Sequence, residues 1–358
     1  LVVWPVIYGL SLLFILRHFR VVVSIVRSDP YTPALVGLAI ASGLWAALPE
    51  SALRLSVGLL GTTAFGIYLG LRFRPEELFR VLIWAFTVVL VTNALVAMTM
   101  PERGIHMGEA WRGAYSHKNG LGRMMVLSTI VWTLCFSENK NRLVTVFLWV
   151  SSVTLLVLSR SATSLLLFGL MLLVLVLSKG MRISVRVALP LVAWGLVILV
   201  GVGVYIQSRV GLIIQLLGKD ATLTGRTVLW ELVWDAIWNR PWLGYGYGSF
   251  WVENGPADSV WQFMVWQAPH AHNGFLDLFL QLGAVGVVLF GVSYLRNLAR
   301  CFKRYRLHAD NMARFSFVFF LFLMATNLTE SNLVVPKTTF WILYVALPVA
   351  LSSHSPKR

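Results

Sequence analysis

"NGFLDLFLQLGAVGVVLFGVSY", residues 273–294, is an apolar run. As a helix it is long enough to cross the roughly 30 Å hydrocarbon core of a bilayer, a span that takes about 20 residues. Reading it as a membrane span decides the class, because runs of the same kind recur along the chain. They lie near 1–16, 33–49, 55–71, 80–100, 120–136, 143–158, 162–178, 187–205, 312–328 and 338–353. The 358 residues are 58% apolar and 13% charged, whereas a soluble domain is about half apolar and a quarter charged. Alternating strand patterns of the barrel type are absent. The expectation is an all-α polytopic membrane protein forming one domain over 1–358, since lipid leaves helices as the way to satisfy the backbone internally. The chain starts on Leu1 rather than Met, already inside an apolar run, so residues are expected to precede it. Cys135 and Cys301 lie far apart in or beside apolar segments and suggest neither a disulfide framework nor a metal cluster.

The formal net charge of +15 speaks first to topology. One alternating set of loops, with the C-terminus, holds Arg17, Arg20, Arg27, Arg72, Arg74, Arg80, Lys140, Arg142, Lys179, Arg182, Arg186, the run from Arg296 to Arg306, Arg314, Lys357 and Arg358. The other set is sparser and holds Arg54, Arg103, Arg112, Lys118, Arg123, Arg160, Arg209, Lys219, Arg226, Arg240 and Lys337. The richer set is assigned to the cytoplasm. The Arg296 to Arg306 run then anchors the inner leaflet; with no interleaved aromatic platform it is not read as a nucleic-acid surface. Three features fall outside: the loop 101–119, the turn 159–161 and the segment 206–272. The last is too long for a plain connection and is expected to be functional. It contains a predicted amphipathic helix, "TGRTVLWELVWDAIWN" at 224–239, with Thr224 as N-cap. Leu229, Val233 and Ile237 beside Trp230, Trp234 and Trp238 make apolar stripes suited to the headgroup zone. "RPWLGYGYGSFW" at 240–251 then turns the chain on Pro241 and three glycines.

The outer polar groups need reasons. Arg160 sits in "LSRSATS", a turn barely long enough to leave the membrane; it either snorkels to headgroups or binds an anion through its guanidinium fork. Arg226 stands at the start of the predicted outer helix, where free N–H groups and a partial positive charge favour phosphate; the bland reading is an interfacial arginine. Lys118 and Arg123, at the start of the 120–136 span, add charge or anchor the surface. His272 opens the 273–294 span and is able to take a proton near neutral pH, although a histidine at a helix end is commonly a polar cap. His270, two residues away, would not share a helical face with it, so the pair is a weak metal signal. Asn273 and Asp277, four apart, are placed to bond along one face, and Asp277 inside an apolar run requires a partner. Gly283 and Gly286 read as sites of close helix contact. Glu330, in "NLTESNLVVPK", is a base, a partner for an arginine or a helix terminator.

The string His272-Asn273, nine residues, then Gly283-Ala-Val-Gly286 resembles the signature of the bacterial O-antigen ligase and polysaccharide polymerase superfamily. "SHKNGLGR" at 116–123, "SRSATSLL" at 159–166, "GRTVLWELVWDAIWNRPWLGYGYGSF" at 225–250 and "NLTES" at 327–331 resemble it too, in order over roughly 100–350. The resemblance implies a GT-C-like bundle of about 11–12 transmembrane helices in the bacterial inner membrane, with the active site facing the periplasm. It implies an inverting glycosyltransferase that needs no metal or other cofactor. The donor would be a glycan on undecaprenyl diphosphate. The acceptor would be lipid A–core for a ligase or a second lipid-linked glycan for a polymerase, and "HKNGLGR" and "NLTES" look closer to the exopolysaccharide polymerase branch. The family's histidine falls on His272 and its diphosphate-binding arginines on Arg160 and Arg226. Lys118 and Arg123 are supplementary diphosphate candidates, and Asn273, Asp277 and Glu330 supporting ones. The competing class is a transporter or flippase for polyprenyl-linked glycans, which predicts inverted repeats and broken helices.

Overall fold

A computed structural model of the chain describes residues 3–106, 109–136, 141–178, 224–264, 266–308 and 310–353. The expected span 187–205 and the cations Lys140, Lys179, Arg182, Arg186, Arg209, Lys219, Lys357 and Arg358 lie outside the described residues. Every other expected span falls on a helix, and the one sheet among the described residues is the two-residue pairing of Ile105–His106 with Ala110–Trp111. The protein is all-α and multi-pass. Among the described residues, three helices are long and apolar enough to cross a bilayer on their own: Pro49–Arg72, Pro75–Thr99 and Gly274–His308. At 1.5 Å per residue, the second is about 37 Å long. It starts with proline at the first helical position and the Arg74 N–H donating to the Glu77 carboxylate at 2.9 Å, so its first turn is capped by an acid placed where the helix dipole favours one.

The chain forms two compact units. The first comprises described residues within Leu1–Tyr68, Ile183–Ala299 and Asn327–Ala346, and the second those within Leu69–Arg182, Arg300–Thr326 and Leu347–Arg358.

In the first unit the opening span is followed, after a bend of 93° at His18, by a helix over Phe19–Ser28. Sequence reading made this a cytoplasmic loop. Its apolar valines and isoleucine alternate with Arg20 and Arg27 at helical spacing, a pattern suited to lying in an interface. The span expected over 33–49 is shorter, a helix over Tyr31–Ala41 closed by a 3-10 turn over Ser42–Leu44. It stops because the glycine-rich 243–249 segment takes over the bonding there. Ser42 Oγ accepts the Tyr247 N–H at 2.9 Å, Tyr245 O accepts the Ala47 N–H at 3.0 Å, and Ser249 Oγ accepts the Leu48 N–H at 2.8 Å.

The same segment explains a break in the Gly274–His308 helix. Gly283 has φ 62° and ψ −166°, a conformation outside any helix. Across the break the Ala284 N–H donates to Pro241 O at 2.8 Å and the Val285 N–H to Trp242 O at 3.2 Å. In the opposite direction the Tyr245 N–H donates to Leu280 O at 2.8 Å and the Gly246 N–H to Gln281 O at 3.0 Å. The helical bonds lost at the break are thus replaced by bonds to the loop. Gly283 is therefore not the helix–helix contact read from sequence; a Cβ there would run into the Trp242 carbonyl of the docked loop. Gly244, Gly246 and Gly248 all have positive φ, which is why this loop needs its glycines. Further along the helix, Ser293 and Asn297 join Thr32 and Tyr344 around the buried Asp29 carboxylate, which accepts from Thr32 Oγ1 at 2.8 Å and Asn297 Nδ2 at 3.1 Å.

The second unit is built around Lys118–Cys135, most of whose residues are buried. Ser128 and Ser152 share a hydrogen bond at 2.8 Å, and Trp149 Nε1 donates to Thr133 Oγ1 at 3.0 Å, joining it to Arg142–Leu158. Asn311 Nδ2 donates to Leu134 O at 3.1 Å from the start of Asn311–Thr326.

Candidate functional site

In the first unit, Thr224–Asn239 is a helix as expected. Arg226 lies in its first turn, and the side chains of 224–227 are outside the described residues. Leu229, Val233 and Ile237 are fully buried, while Trp234 and Trp238 are exposed. The buried face packs with Phe250, Ala257, Val260, Ala268, Ala271, Leu276 and Leu280, so the segment has its own small core.

That core holds the backbone beside His272. Ala271, between the two histidines, donates its N–H to both Asp277 carboxylate oxygens, at 3.1 and 3.2 Å, and its carbonyl accepts from Trp230 Nε1 at 2.8 Å. Asp277 is 5% exposed, and it also accepts from Trp251 Nε1 at 2.6 Å. The partner required of an acid in an apolar run is thus an indole and a backbone amide. Asn273 caps the helix, its Oδ1 accepting the N–H groups of Phe275 at 3.0 Å and Leu276 at 3.3 Å. Asn273 and Asp277 therefore serve different partners instead of bonding along one face. A second anchor comes from 327–332. The Gly274 N–H donates to Asn327 O at 2.8 Å, and Asn327 Oδ1 accepts the Asn332 N–H at 2.6 Å.

Between these anchors His272 is half-buried, with φ 51°, a left-handed conformation that costs an L-residue about 1–2 kcal/mol. Its ring lies 4.2 Å from that of His270 and 5.7 Å from that of Trp266, centroid to centroid. The premise that set the histidine pair aside was helical geometry. Both stand instead in the irregular stretch before the helix, where the His272 N–H donates to His270 Nδ1 at 3.1 Å. Buried Glu330 joins them: one donor atom from each of His270, His272 and Glu330 lies within 4.8 Å of the others.

The second unit gathers the other candidate cations. Arg160 occupies the turn between Arg142–Leu158 and Ala162–Ser178 and is also left-handed, with φ 48°. Its guanidinium is exposed and forms an ion pair with exposed Glu109. Next to it, Ser161 Oγ donates to Asn119 Oδ1 at 2.9 Å and hydrogen-bonds Ser164 Oγ at 2.9 Å. Asn119 is in the first turn of the helix that begins with Lys118, so the turn bearing Arg160 is tied to that N-terminus. Serine at 164 packs against Gly122, where any Cβ would strike its hydroxyl. Arg123, half-buried, lies near enough to Tyr115 to lower its pKa, though burial dominates and pushes that phenol upward. Arg112 is structural: it donates from Nε to Arg103 O at 2.7 Å and braces the loop 101–119. Gly113, with φ 59°, and Ala114, whose N–H donates to Asn93 Oδ1 at 2.9 Å, seat that loop on the Pro75–Thr99 helix.

Sequence reasoning missed Glu109 as partner of Arg160, Trp251 and Trp230 as clamps, and the joining of Glu330 to the histidines. These pairs are separated by 51, 26 and 41 residues in the first three cases, beyond any local pattern.

Residues 146–291 match the sequence profile of the O-antigen ligase family. An 84-residue stretch is 36% identical to the exopolysaccharide production protein ExoQ of Rhizobium meliloti (strain 1021); it covers 22% of this chain and 19% of that protein. The chain thus matches about a fifth of the length of this relative. The profile takes in Arg160, Arg226, His272, Asn273, Asp277 and Gly283, while Lys118, Arg123 and Glu330 lie outside it.

Proposed function

From a chain that belongs to the O-antigen ligase and polysaccharide polymerase superfamily, we propose an inverting, metal-independent membrane glycosyltransferase that works at the periplasmic face of the bacterial inner membrane. It moves a glycan from undecaprenyl diphosphate to an acceptor hydroxyl, carried by lipid A–core or by a second lipid-linked glycan. The single observation that supports this most is His272: a left-handed residue within the matched stretch, next to a backbone unit whose N–H and carbonyl are both clamped. Strain kept in place by surrounding bonds is a mark of functional positions.

Neutral His272 accepts the proton of the acceptor hydroxyl as its oxygen bonds to C1 of the donor sugar. The C1–O bond to the diphosphate breaks on the opposite face, and the electron pair leaves with the diphosphate. General-base help of this kind is worth roughly 10²–10⁴-fold. Arg160 and Arg226 stabilise the growing charge on the leaving group, more strongly in the transition state than before it. Lys118, at a helix N-terminus tied to the Arg160 turn, and Arg123 add to the anion-binding character. Arg226 stands four residues before Trp230, the clamp on Ala271, so the helix that carries this arginine also positions the histidine loop. Two guanidinium groups supply the charge neutralisation for which other enzymes use a divalent ion.

The test is transfer from a defined lipid-linked glycan in proteoliposomes, with and without lipid A–core. His272→Ala is expected to stop transfer while folding and insertion persist, and near-normal turnover would remove the base. Longer polymer identifies a polymerase and glycosylated core a ligase. Movement of the glycan across the membrane without covalent transfer would establish the transporter instead.

A further inference from the structure

We propose that His270, His272 and Glu330 form a reversible site for a divalent transition-metal ion, zinc above all, and that its occupation switches the transferase off. The blocking half rests on the reading of His272 as base; the ion site does not.

Two imidazoles and one carboxylate are a recurrent three-ligand set for zinc, with a fourth position left open. Here one donor atom from each residue lies within 4.8 Å of the other two. Around a tetrahedral zinc with bonds near 2.1 Å, neighbouring donors stand about 3.4 Å apart. Closing the set around an ion therefore takes shifts of about 1.5 Å or less, within reach of side-chain torsions alone.

The supports of the three ligands are already fixed. Ala271 between the histidines is clamped at both its N–H and its carbonyl. Glu330 is 6% exposed and sits on the 327–332 turn, which is bonded to the helix start through Gly274 and Asn327. Both histidines are half-buried while Glu330 is buried, so the set is partly exposed. The His272 N–H now donates to His270 Nδ1, and that bond is given up if this ring turns or uses Nδ1 for the ion. The site is accordingly weaker than a permanently closed structural one, with a micromolar rather than picomolar dissociation constant expected. Magnesium, which prefers six oxygen ligands, is not expected to replace zinc there.

The consequence for the chemistry is direct. An imidazole nitrogen that has donated its lone pair to an ion cannot accept the acceptor's proton.

The test uses the purified full chain in detergent, titrated with Zn²⁺ against a chromophoric chelator and, separately, with Co²⁺ while its visible bands are followed. One ion per chain is expected, with Co²⁺ bands of the four-coordinate type. His270→Ala and Glu330→Gln should each weaken binding by about tenfold or more. Zn²⁺ should inhibit glycan transfer over the same concentration range, chelator should restore the rate, Mg²⁺ should not inhibit, and His270→Ala should move the inhibition curve by the factor by which it moves binding. Absence of a stoichiometric ion, or binding unchanged in both variants, would overturn the site. Stoichiometric binding that depends on these residues but leaves transfer running would overturn the blocking role and, with it, His272 as base, while the ion site stood.

Discussion

Replacing Gly283 with alanine tests the joint on which the first unit is built. The residue has φ 62° and ψ −166°, a region occupied almost only by glycine, so any side chain there costs about 1–3 kcal/mol in backbone strain. The new Cβ would also collide with the carbonyl carbon and oxygen of Trp242 and with the Leu243 nitrogen. Overpacking of this kind costs about 1–3 kcal/mol where neighbours yield slightly. They are poorly placed to yield, because Pro241, Trp242, Tyr245 and Gly246 are bonded across the break through the amides of Ala284 and Val285 and the carbonyls of Leu280 and Gln281. Pushing the loop off instead would sacrifice those four bonds, at about 1 kcal/mol each. By either route Gly283→Ala should lose roughly 2–6 kcal/mol, a large share of the 5–15 kcal/mol typical of a folded protein. The assay is thermal unfolding in detergent followed by tryptophan fluorescence, with proteolysis of the 240–248 loop as the local readout. Gly291→Ala on the same helix is the control: a Cβ there meets nothing within 4 Å, so helix propensity should leave it neutral or slightly stabilising. A Gly283→Ala protein that melts within about 1 kcal/mol of the parent, with its loop equally protected, would refute the docked-break account.

Glu109→Gln should free the Arg160 guanidinium. Because both partners are exposed, stability should change by less than about 1 kcal/mol, while binding of an anionic polyprenyl diphosphate at low salt should tighten by up to about fivefold; weaker binding would show that Glu109 positions the arginine instead of masking it. Trp251→Phe keeps a ring against Phe250 and Trp261 but removes the N–H given to buried Asp277, so it should cost about 1–3 kcal/mol in thermal stability. Tyr247 is buried outside the spans and donates to Val334 O at 2.5 Å, and burial holds its phenol above the ordinary tyrosine range. Its folded-state pKa is the raised one, so its contribution is intact below about pH 10 and fades as the pH rises beyond it. Tyr247→Phe should lower stability at neutral pH and flatten the alkaline end of the stability curve, which a pH series of melting temperatures would show.

The sequence made the spans legible because hydropathy integrates over about 20 residues and needs no partner. It could not show that 33–49 ends at Leu44, because the reason lies in Tyr245, Tyr247 and Ser249, some 200 residues away. The helix over Phe19–Ser28 was hidden by its charge: two arginines among valines look like a loop when only mean hydropathy is weighed, and like an interfacial helix when spacing is. At the candidate site, His272 was singled out through its family string, and Asp277 through a physical demand, that an acid among apolar residues must have a partner. Who that partner is, Trp251, depends on tertiary packing. The histidine pair shows the opposite failure. Helical spacing was applied one turn too early, and the pair was set aside on a periodicity that begins only at Gly274. Gly244, Gly246 and Gly248 were rightly seen as turn residues, yet what they turn toward, the gap at Gly283, is a contact that no local rule contains.

That gap bears on the choice between enzyme and transporter. Broken membrane helices are a transporter feature because unwound carbonyls and helix ends are left to hold substrate or ions, and because the halves move. Here the Leu280 and Gln281 carbonyls on one side and the Ala284 and Val285 amides on the other are each bonded to the 241–246 loop. The break is a seam stitched by a loop from the same unit, with its polar groups already engaged. Moving the two halves would mean breaking four bonds together with the glycine contacts that allow them. The same loop continues through Trp251 to Asp277, and Asp277 fixes the amide of Ala271 beside His272. A chain of bonds that ends at the backbone amide beside one histidine fits a protein that must place a proton acceptor accurately at a bond being made. It fits poorly with one that must rock around a substrate, and this favours covalent transfer of the glycan over its passage.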